Sequence, residues 1–468
     1  MRRADGLSRR EALLALAAGS LLPSAGSLLS AGSLLSPSAA WAFPSRDGLG
    51  GWLGPASSFT LSNATLQLHD GTVLGPAGVR VEGGLVVELG EAVRGGTNLG
   101  GAWLCPGLVD AGTSLGLVEV LQEASTRDDD ESGAPVNPDA RVVDAYNPRS
   151  ELLAVARSGG VLHSLVTPAF SRLVPGQAAM MRLSGLTVAE ATVQAPVGLC
   201  VCLGRAGMGG EGGPKTRMGV AARLRELLDA AEGPEEEEGE EQGARKRKKK
   251  KKEAEERRGG ERDGEPEGGS DEEKTAAERT WREVRAGRLP LLVHAHRADD
   301  LLTAVRLAED YSLKIVLVGA AEAWMVAPEL ARAGVGVLLG PIDVQPDSFE
   351  HPHARYDNAV ALHAAGVPFA LRTDSAHNSR LLPTLAGLAV AHGLPRPAAI
   401  AAMTASAGRI LGLPGLGTLE VGGSASFFQV QGDPIQPRYA VQAAWIDGRP
   451  VSVETRHSRL FEQYRVLR

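Results

Sequence analysis

The sequence has few cysteines, little net charge and only one long apolar region, and each scarcity excludes a class of protein. Cysteine occurs three times in 468 residues, as Cys105, Cys200 and Cys202. Two cysteines at i and i+2 of one strand are poorly placed to bond to each other, so no disulfide framework is expected. The net charge of -7 indicates neither a nucleic-acid surface nor a membrane-surface protein.

The long apolar region lies at the N-terminus and is typical of a targeting segment. Residues 8–14 read Ser-Arg-Arg-Glu-Ala-Leu-Leu, an apolar stretch follows, and Ala-Trp-Ala at 40–42 offers a cleavage site. We predict a twin-arginine signal peptide over residues 1–42 and an exported, periplasmic protein. The alternative is a cytoplasmic protein with an incidental Arg-Arg pair. No other run reaches the roughly 20 apolar residues of a membrane helix, so no membrane span is expected after cleavage.

A charged segment interrupts the middle of the chain. Residues 232–274 contain an acidic run at 235–241 and a basic run at 245–252, with almost no apolar side chain. Such a segment cannot offset its ordering entropy by burial, so we predict a disordered insertion. The alternative, a nucleic-acid patch, is disfavoured because acidic blocks flank the basic run and no aromatic residues interleave for stacking.

The remaining sequence shows two kinds of periodicity. Short β-like runs separated by turn residues occupy 59–105 and again 416–456, and we expect these end segments to pair into one small sandwich. Between them, residues 106–415 alternate short apolar strands with helices, which predicts a parallel sheet. One helix of this kind is expected to end at Gly334. Periodicity alone leaves open whether that sheet is an open layer or a closed barrel.

Several motifs in this order resemble the amidohydrolase superfamily, in its imidazolonepropionase-like branch. The motifs are Pro-Gly-Leu-Val-Asp at 106–110, Leu-Val-His-Ala-His at 292–296, Phe-Ala-Leu-Arg-Thr-Asp-Ser at 369–375, and the stretches 403–413 and 416–422. The resemblance implies an α/β fold with a (β/α)8-type barrel and a small β-sandwich formed by the N- and C-terminal segments. It covers nearly the whole chain after the signal peptide.

The chemistry of that family uses one or two divalent metals at the C-terminal mouth of the barrel. Its members usually supply a His-x-His pair on strand one, histidines on strands five and six, and an aspartate on strand eight. In this sequence Gly112 and Ser114 stand at the strand-one positions, and Gly319 stands at the strand-six position. None of these residues can replace an imidazole, so most of the expected metal ligands are absent.

The residues that remain of the family's set are His294, His296 and Asp374. Residues i and i+2 of a strand face the same side, so both imidazoles are expected to point into the barrel mouth. The three side chains could hold zinc or another divalent metal. We favour the alternative, a residual polar cluster without metal, because a metal would be held from one side only. His351 and His353, in the loop expected after strand seven, could add ligands, but we favour a solvated loop for both.

Two functions therefore stay open. The resemblance implies a metal-dependent hydrolase of non-peptide carbon–nitrogen bonds, acting on a small-molecule substrate with Asp374 as general base. The alternative is a catalytically silent paralogue, a binding or oligomer-partner subunit in a homo-oligomer or beside an intact homologue. Neither function requires nucleic acid.

Overall fold

The computed structural model describes residues 58–231, 270–343 and 348–465. The predicted signal peptide at 1–42 lies outside these ranges, and so do residues 232–269 of the predicted insertion. The last part of that insertion, 270–274, lies within a helix that begins at Ser270. Within the described ranges, no helix combines the length and the apolar character needed to cross a membrane.

Sixteen strands form two sheets in the described ranges. In chain order they are β1 (Phe59–Gln67), β2 (Val73–Glu82), β3 (Leu85–Gly90), β4 (Thr97–Asn98), β5 (Trp103–Pro106), β6 (Leu108–Thr113), β7 (Val161–Val166), β8 (Gly176–Arg182), β9 (Thr192–Cys202), β10 (Leu291–Ala295), β11 (Ile315–Gly319), β12 (Gly336–Leu339), β13 (Phe369–Leu371), β14 (Phe427–Val430), β15 (Val441–Ile446) and β16 (Arg449–Val451). Strands β6 to β13 form one sheet, and the other eight strands form the second.

The α-helices cover the outside of the first sheet or follow it in the chain. They are α1 (Val142–Ala145), α2 (Glu151–Ser158), α3 (Val188–Ala191), α4 (Arg217–Ala230), α5 (Ser270–Arg285), α6 (Ala298–Tyr311), α7 (Ala327–Ala333), α8 (Asn358–Ala365), α9 (Leu382–Ala391), α10 (Arg396–Ala402), α11 (Ala405–Ile410) and α12 (Arg456–Arg465). Helix α7 ends at Gly334 in a left-handed conformation (φ 65°), as predicted.

The first sheet is the predicted barrel. Its interior is filled by apolar side chains that alternate along the strands, among them Val109, Leu165, Leu292, Val318 and Ala370. The first and last strands, β6 and β13, meet through the backbone, where the N–H of Asp374 donates to the carbonyl oxygen of Gly112 at 2.9 Å. The sheet is thus nearly closed, which confirms the (β/α)8-type fold class.

One strand departs from the parallel arrangement expected from the sequence. Strand β8 runs antiparallel to both of its neighbours, β7 and β9, while the other adjacent pairs in the barrel sheet are parallel. The β7–β8 connection is therefore a return along the sheet and needs no crossover helix, unlike a βα unit. The expectation of a wholly parallel barrel sheet was wrong at this strand.

The second sheet joins the two ends of the chain, as predicted. Strand β5 pairs antiparallel with β14, from Trp103 opposite Val430 to Pro106 opposite Phe427. At the far edge, the N–H of Val86 in β3 donates to the carbonyl of Gly423 at 3.0 Å. The sheet therefore folds back on itself around an apolar core of its own. The barrel is inserted between the two halves of this small domain.

Candidate functional site

Strand β10 and the residue that follows it place two histidines, His294 and His296, at the barrel mouth, the end where the barrel strands finish. The rings of His294 and His296 lie 4.7 Å apart between centroids, with their planes nearly perpendicular. The ring of His294 also stacks on Phe170, at 4.4 Å and with 8° between the planes. The alternation of side chains along a strand thus brings both imidazoles to one place.

A third imidazole reaches this cluster from the segment after β12. The ring of His351 lies 5.0 Å from that of His296, whereas the sequence predicts that it lies in a solvated loop. His353 points elsewhere, and its Nδ1 lies 2.9 Å from Oε1 of the buried Glu322. This segment follows a barrel strand and therefore lies at the barrel mouth. Its place in the sequence could have indicated that His351 belongs to the site.

An ion-pair network holds the segment that carries His351. Arg217 on α4 bonds to Asp300 at 3.0 Å and to Glu350 at 2.8 Å. Glu350 also accepts a hydrogen bond from the backbone N–H of Arg205 at 2.9 Å. Because Glu350 precedes His351 in the chain, these bonds fix the position from which the imidazole enters the cluster.

The sequence analysis missed Arg372, which lies in the middle of this site. Its side chain is 1% exposed and forms an ion pair with Asp374. Its guanidinium carbon lies 5.5 Å from the ring centroid of Phe170. The alternation of side chains along strand β13 could have indicated this position. Ala370 faces the barrel interior, and Arg372 and Asp374, two and four residues later, are expected on the same side.

The arginine fills the space beside Gly112. A Cβ atom at residue 112 would lie 2.5 Å from Nε of Arg372, closer than such atoms can approach. A similar limit holds at Gly319, where φ is 88° and a Cβ atom would lie 2.8 Å from Cε1 of His296. The two glycines that stand where the family has histidines are thus packed directly against other members of the site.

Burial and nearby positive charge keep His294 and His296 neutral. Loss of water holds the pKa of His294 well below its ordinary value, and the neighbouring His296 and Arg372 add to this effect. Burial, with His351 and Arg372, lowers the pKa of His296 to about 4. The Nδ1 atoms of both rings are buried without a hydrogen-bond partner in the described structure, as are Nε and Nη1 of Arg372.

The arrangement of these residues does not match the metal site that the resemblance implies. The predicted ligand Asp374 is paired with Arg372, and a cation therefore already lies in the cluster. In the part of the chain that the structure describes, no three His, Cys, Asp or Glu side chains converge to hold an ion. The structure brings His294 and His296 together, but it gives Asp374 a different partner.

A cavity of about 200 Å3 opens beside the cluster. His296, His351 and Asp374 line it together with Asn358 from the start of α8. The amide of Asn358 is 2% exposed and donates to the carbonyl oxygens of Ala320 and Ala321, at 2.9 and 3.0 Å. The cavity is smaller than the roughly 300–1,000 Å3 usual for small-molecule pockets, so only a ligand of a few non-hydrogen atoms would fit in it.

Comparison with known proteins agrees with the fold. No protein-family profile matches the chain. An imidazolonepropionase of Maricaulis maris strain MCS10 is 34% identical over 174 residues, which are 36% of this chain and 41% of the relative. The chain thus spans less than half of the length of this curated relative.

Two solved structures resemble the whole described fold. A crystal structure of an amidohydrolase from Thermotoga maritima MSB8 has a TM-score of 0.70 and 26% identity, and the match covers 84% of this chain and 99% of that one. An uncharacterized protein matches over the same shares with a TM-score of 0.52 and 15% identity, which shows likeness of fold alone.

The fold and site define a barrel protein with a histidine cluster at the C-terminal mouth of the barrel. Together with these likenesses, they place the chain in the amidohydrolase superfamily, in the imidazolonepropionase-like branch.

Proposed function

We propose that this protein is a metal-independent member of its superfamily that serves as a binding or oligomer-partner subunit. The observation that carries the proposal is Arg372, whose buried guanidinium pairs with Asp374 and lies against the histidine cluster. A divalent ion here would meet a fixed positive charge at short range, and that repulsion is strong where water is excluded. The cavity beside His296 would bind a small molecule, and an intact paralogue is the expected partner.

A second candidate is a metal-dependent hydrolase of non-peptide carbon–nitrogen bonds. The sequence identity with an imidazolonepropionase favours it, and so does the placement of His296 and Asp374 at one cavity. In this candidate His294, His296 and Asp374 would hold zinc or another divalent metal, and Arg372 would have to leave the cluster.

Metal analysis of the purified mature protein separates the two candidates. We expect less than about 0.1 equivalent of zinc, and no rise in melting temperature when zinc is added, since only a ligand of the folded state stabilises it. His294→Ala should then cost about 2–5 kcal/mol of unfolding free energy, because a buried ring stacked on Phe170 is removed and a cavity is left. Close to one equivalent of zinc, lost in His294→Ala, would establish the second candidate instead.

A further inference from the structure

We propose that the end of the barrel opposite the histidine cluster carries a second binding site, which takes a small amphipathic acid with an apolar body and one carboxylate. A cavity of about 1000 Å3 lies there. Its volume is at the upper end of the roughly 300–1,000 Å3 usual for small-molecule pockets. The site is separate from the proposed function, which concerns the barrel mouth, and neither depends on the other.

The position of the cavity follows from the register of the barrel strands. Strands β10 to β13 are parallel and begin side by side. The residues immediately before these four strands all line the cavity; they are Pro290, Lys314, Val335 and Pro368. The histidines lie where the strands end, so the cavity lies at the other end of the barrel. Barrel enzymes have their active sites at the mouth, and this cavity is therefore distinct from the site of the family's chemistry.

The apolar wall of the cavity is continuous with the barrel interior. Val316, Ile410 and Leu411 line the cavity and also belong to the apolar cluster inside the barrel. Ile410 packs closely on β12, since a Cβ atom at Gly336 would lie 2.7 Å from its Cγ2. Val305 on α6 extends this wall. The apolar body of a ligand would lose contact with water against these side chains, which favours its binding.

Three basic side chains from different elements line the same cavity. Arg288 precedes β10, Lys314 precedes β11, and Arg409 lies in the last turn of α11. Arg288 is paired with Glu283 at 2.7 Å. Lys314 and Arg409 form no ion pair with any residue that the structure describes, and Arg409 donates to the hydroxyl of Ser406 at 3.2 Å. Two positive charges are therefore available to a ligand.

Helix dipoles explain part of this basic lining but not all of it. Helices α6, α7 and α11 end beside the cavity, and cations are favourable near a helix C-terminus. In the final turns of α6 and α7, however, carbonyl groups already accept from the N–H groups of Ser312 and Gly334, at 3.3 and 3.1 Å. Glu309 adds one negative charge to the lining. With Lys314 and Arg409, the sum is one positive charge, which matches a single carboxylate.

The test uses decanoate as the amphipathic acid, and decanol as the same chain without the charge. We expect one decanoate per chain to displace the fluorescent probe anilinonaphthalene sulfonate and to raise the melting temperature, because it binds the folded state. Decanol should bind at least about tenfold more weakly, since hydrogen bonds to an ionised group are the stronger ones.

A double variant, Lys314→Met with Arg409→Met, removes the two available charges but keeps the long stems. Both side chains are exposed, so the fold should be retained. Decanoate affinity should fall at least about tenfold, and decanol affinity should stay nearly unchanged. The control is Arg332→Met, because Arg332 ends α7 beside the cavity without lining it and pairs with Glu329. This control should bind decanoate as the natural protein does.

A third variant, Ala333→Trp, fills the cavity. Ala333 is exposed at the end of α7 and lines the cavity, so an indole there should occupy the space and leave the core intact. Binding of decanoate and of decanol should both be lost. This variant shows where the ligands bind, whereas the double variant shows why the acid is preferred.

Several results would overturn the proposal. They are a natural protein that binds no decanoate, equal decanoate affinity in the natural and doubly substituted proteins, and unchanged binding in Ala333→Trp. Decanoate binding that appears only after deletion of residues 235–241 would show that the acidic run of this chain is the occupant instead. A dimer that ignores decanoate and dissociates in Ala333→Trp would show that a second copy is the occupant.

Discussion

Asp110 is a buried carboxylate that ties the first barrel strand to the last. Its Oδ1 accepts from the backbone N–H of Thr373 at 3.0 Å, and its Oδ2 accepts from the hydroxyl of Ser379 at 2.8 Å. The hydroxyl of Thr373 donates to the same Oδ2. Burial is the largest influence on this group and raises the pKa of Asp110 to about 6 in spite of these donors. The protonation of Asp110 should therefore affect how stably the first and last barrel strands are held together.

Replacing this carboxylate should change how stability depends on pH. Because the pKa of Asp110 is raised from 3.8 to about 6, the folded protein holds this proton more tightly than the unfolded chain between these values. Asp110 therefore makes stability fall as pH rises through that window. Relative to Asp110→Asn, the natural protein should lose on the order of 2 kcal/mol of unfolding free energy between about pH 4 and pH 7.

Urea unfolding of both proteins across this pH range measures the difference. Each profile also contains the titration of other groups, but these contributions are shared and cancel in the comparison. Parallel profiles for the two proteins would show that Asp110 has an ordinary affinity for its proton in the folded state.

At the residue scale, the sequence identified the residues to which a family motif gives a role and missed those to which it gives none. His294, His296 and Asp374 were found because they match the family pattern, and strand alternation correctly gave the shared direction of the two imidazoles. Arg372 stood within the quoted motif of strand eight, but a motif records identity and not what a side chain contacts. The sequence placed His351 in a loop after a barrel strand but could not predict its contact with His296, since loop conformation has no periodicity to read.

Among the elements, the strands and helices of the βα units followed from the sequence, but the direction of β8 did not. The apolar run at 335–339 predicts a strand, and β12 spans Gly336–Leu339; the pattern at 358–365 predicts a helix, which is α8. An apolar run looks the same in either direction along the chain. Strand direction depends on whether the connection returns along the sheet or crosses over it. Residues 167–175 between β7 and β8 are too few for a crossover helix, and this short connection is the signal that could have predicted the antiparallel direction.

Helix α2 connects the barrel to the C-terminal segment through one buried arginine. Nε of Arg157 donates to the carbonyl of Ser452 at 2.7 Å, and Nη1 donates to the carbonyl of Leu183 at 2.8 Å. Arg157→Met would retain the apolar stem but leave both carbonyls without this donor. We expect a loss of about 2–4 kcal/mol in unfolding free energy, measured by urea denaturation.

A second arginine joins nearly the same elements and serves as the control. Arg459 on α12 pairs with Glu151 on α2 at 3.1 Å, but the two side chains are 40% and 57% exposed. An exposed ion pair contributes little, so Arg459→Met should cost less than about 0.5 kcal/mol. If Arg157→Met were no more destabilising than this control, the buried contact would not be what holds the C-terminal segment in place.

For the molecule as a whole, we propose export through the twin-arginine route, on the basis of the motif at residues 8–14. Since that route depends on the arginine pair, replacing Arg9 and Arg10 together with lysine should leave the precursor in the cytoplasm. Fractionation of cells that express the natural and substituted chains, followed by detection of the cleaved form, is the measurement. Unchanged appearance of the variant in the periplasmic fraction would contradict this proposal.

The pairing of β5 with β14 also determines the order in which the protein can be completed during synthesis. The first five strands leave the ribosome with the edge of β5 bare, and the partner of that edge is made only after the whole barrel. Until then the N–H and C=O groups along this strand edge are unpaired and can form hydrogen bonds with non-native strands. A chain that stops before β14 would therefore keep this edge exposed, and only a chain that includes Phe427–Val430 can cover it.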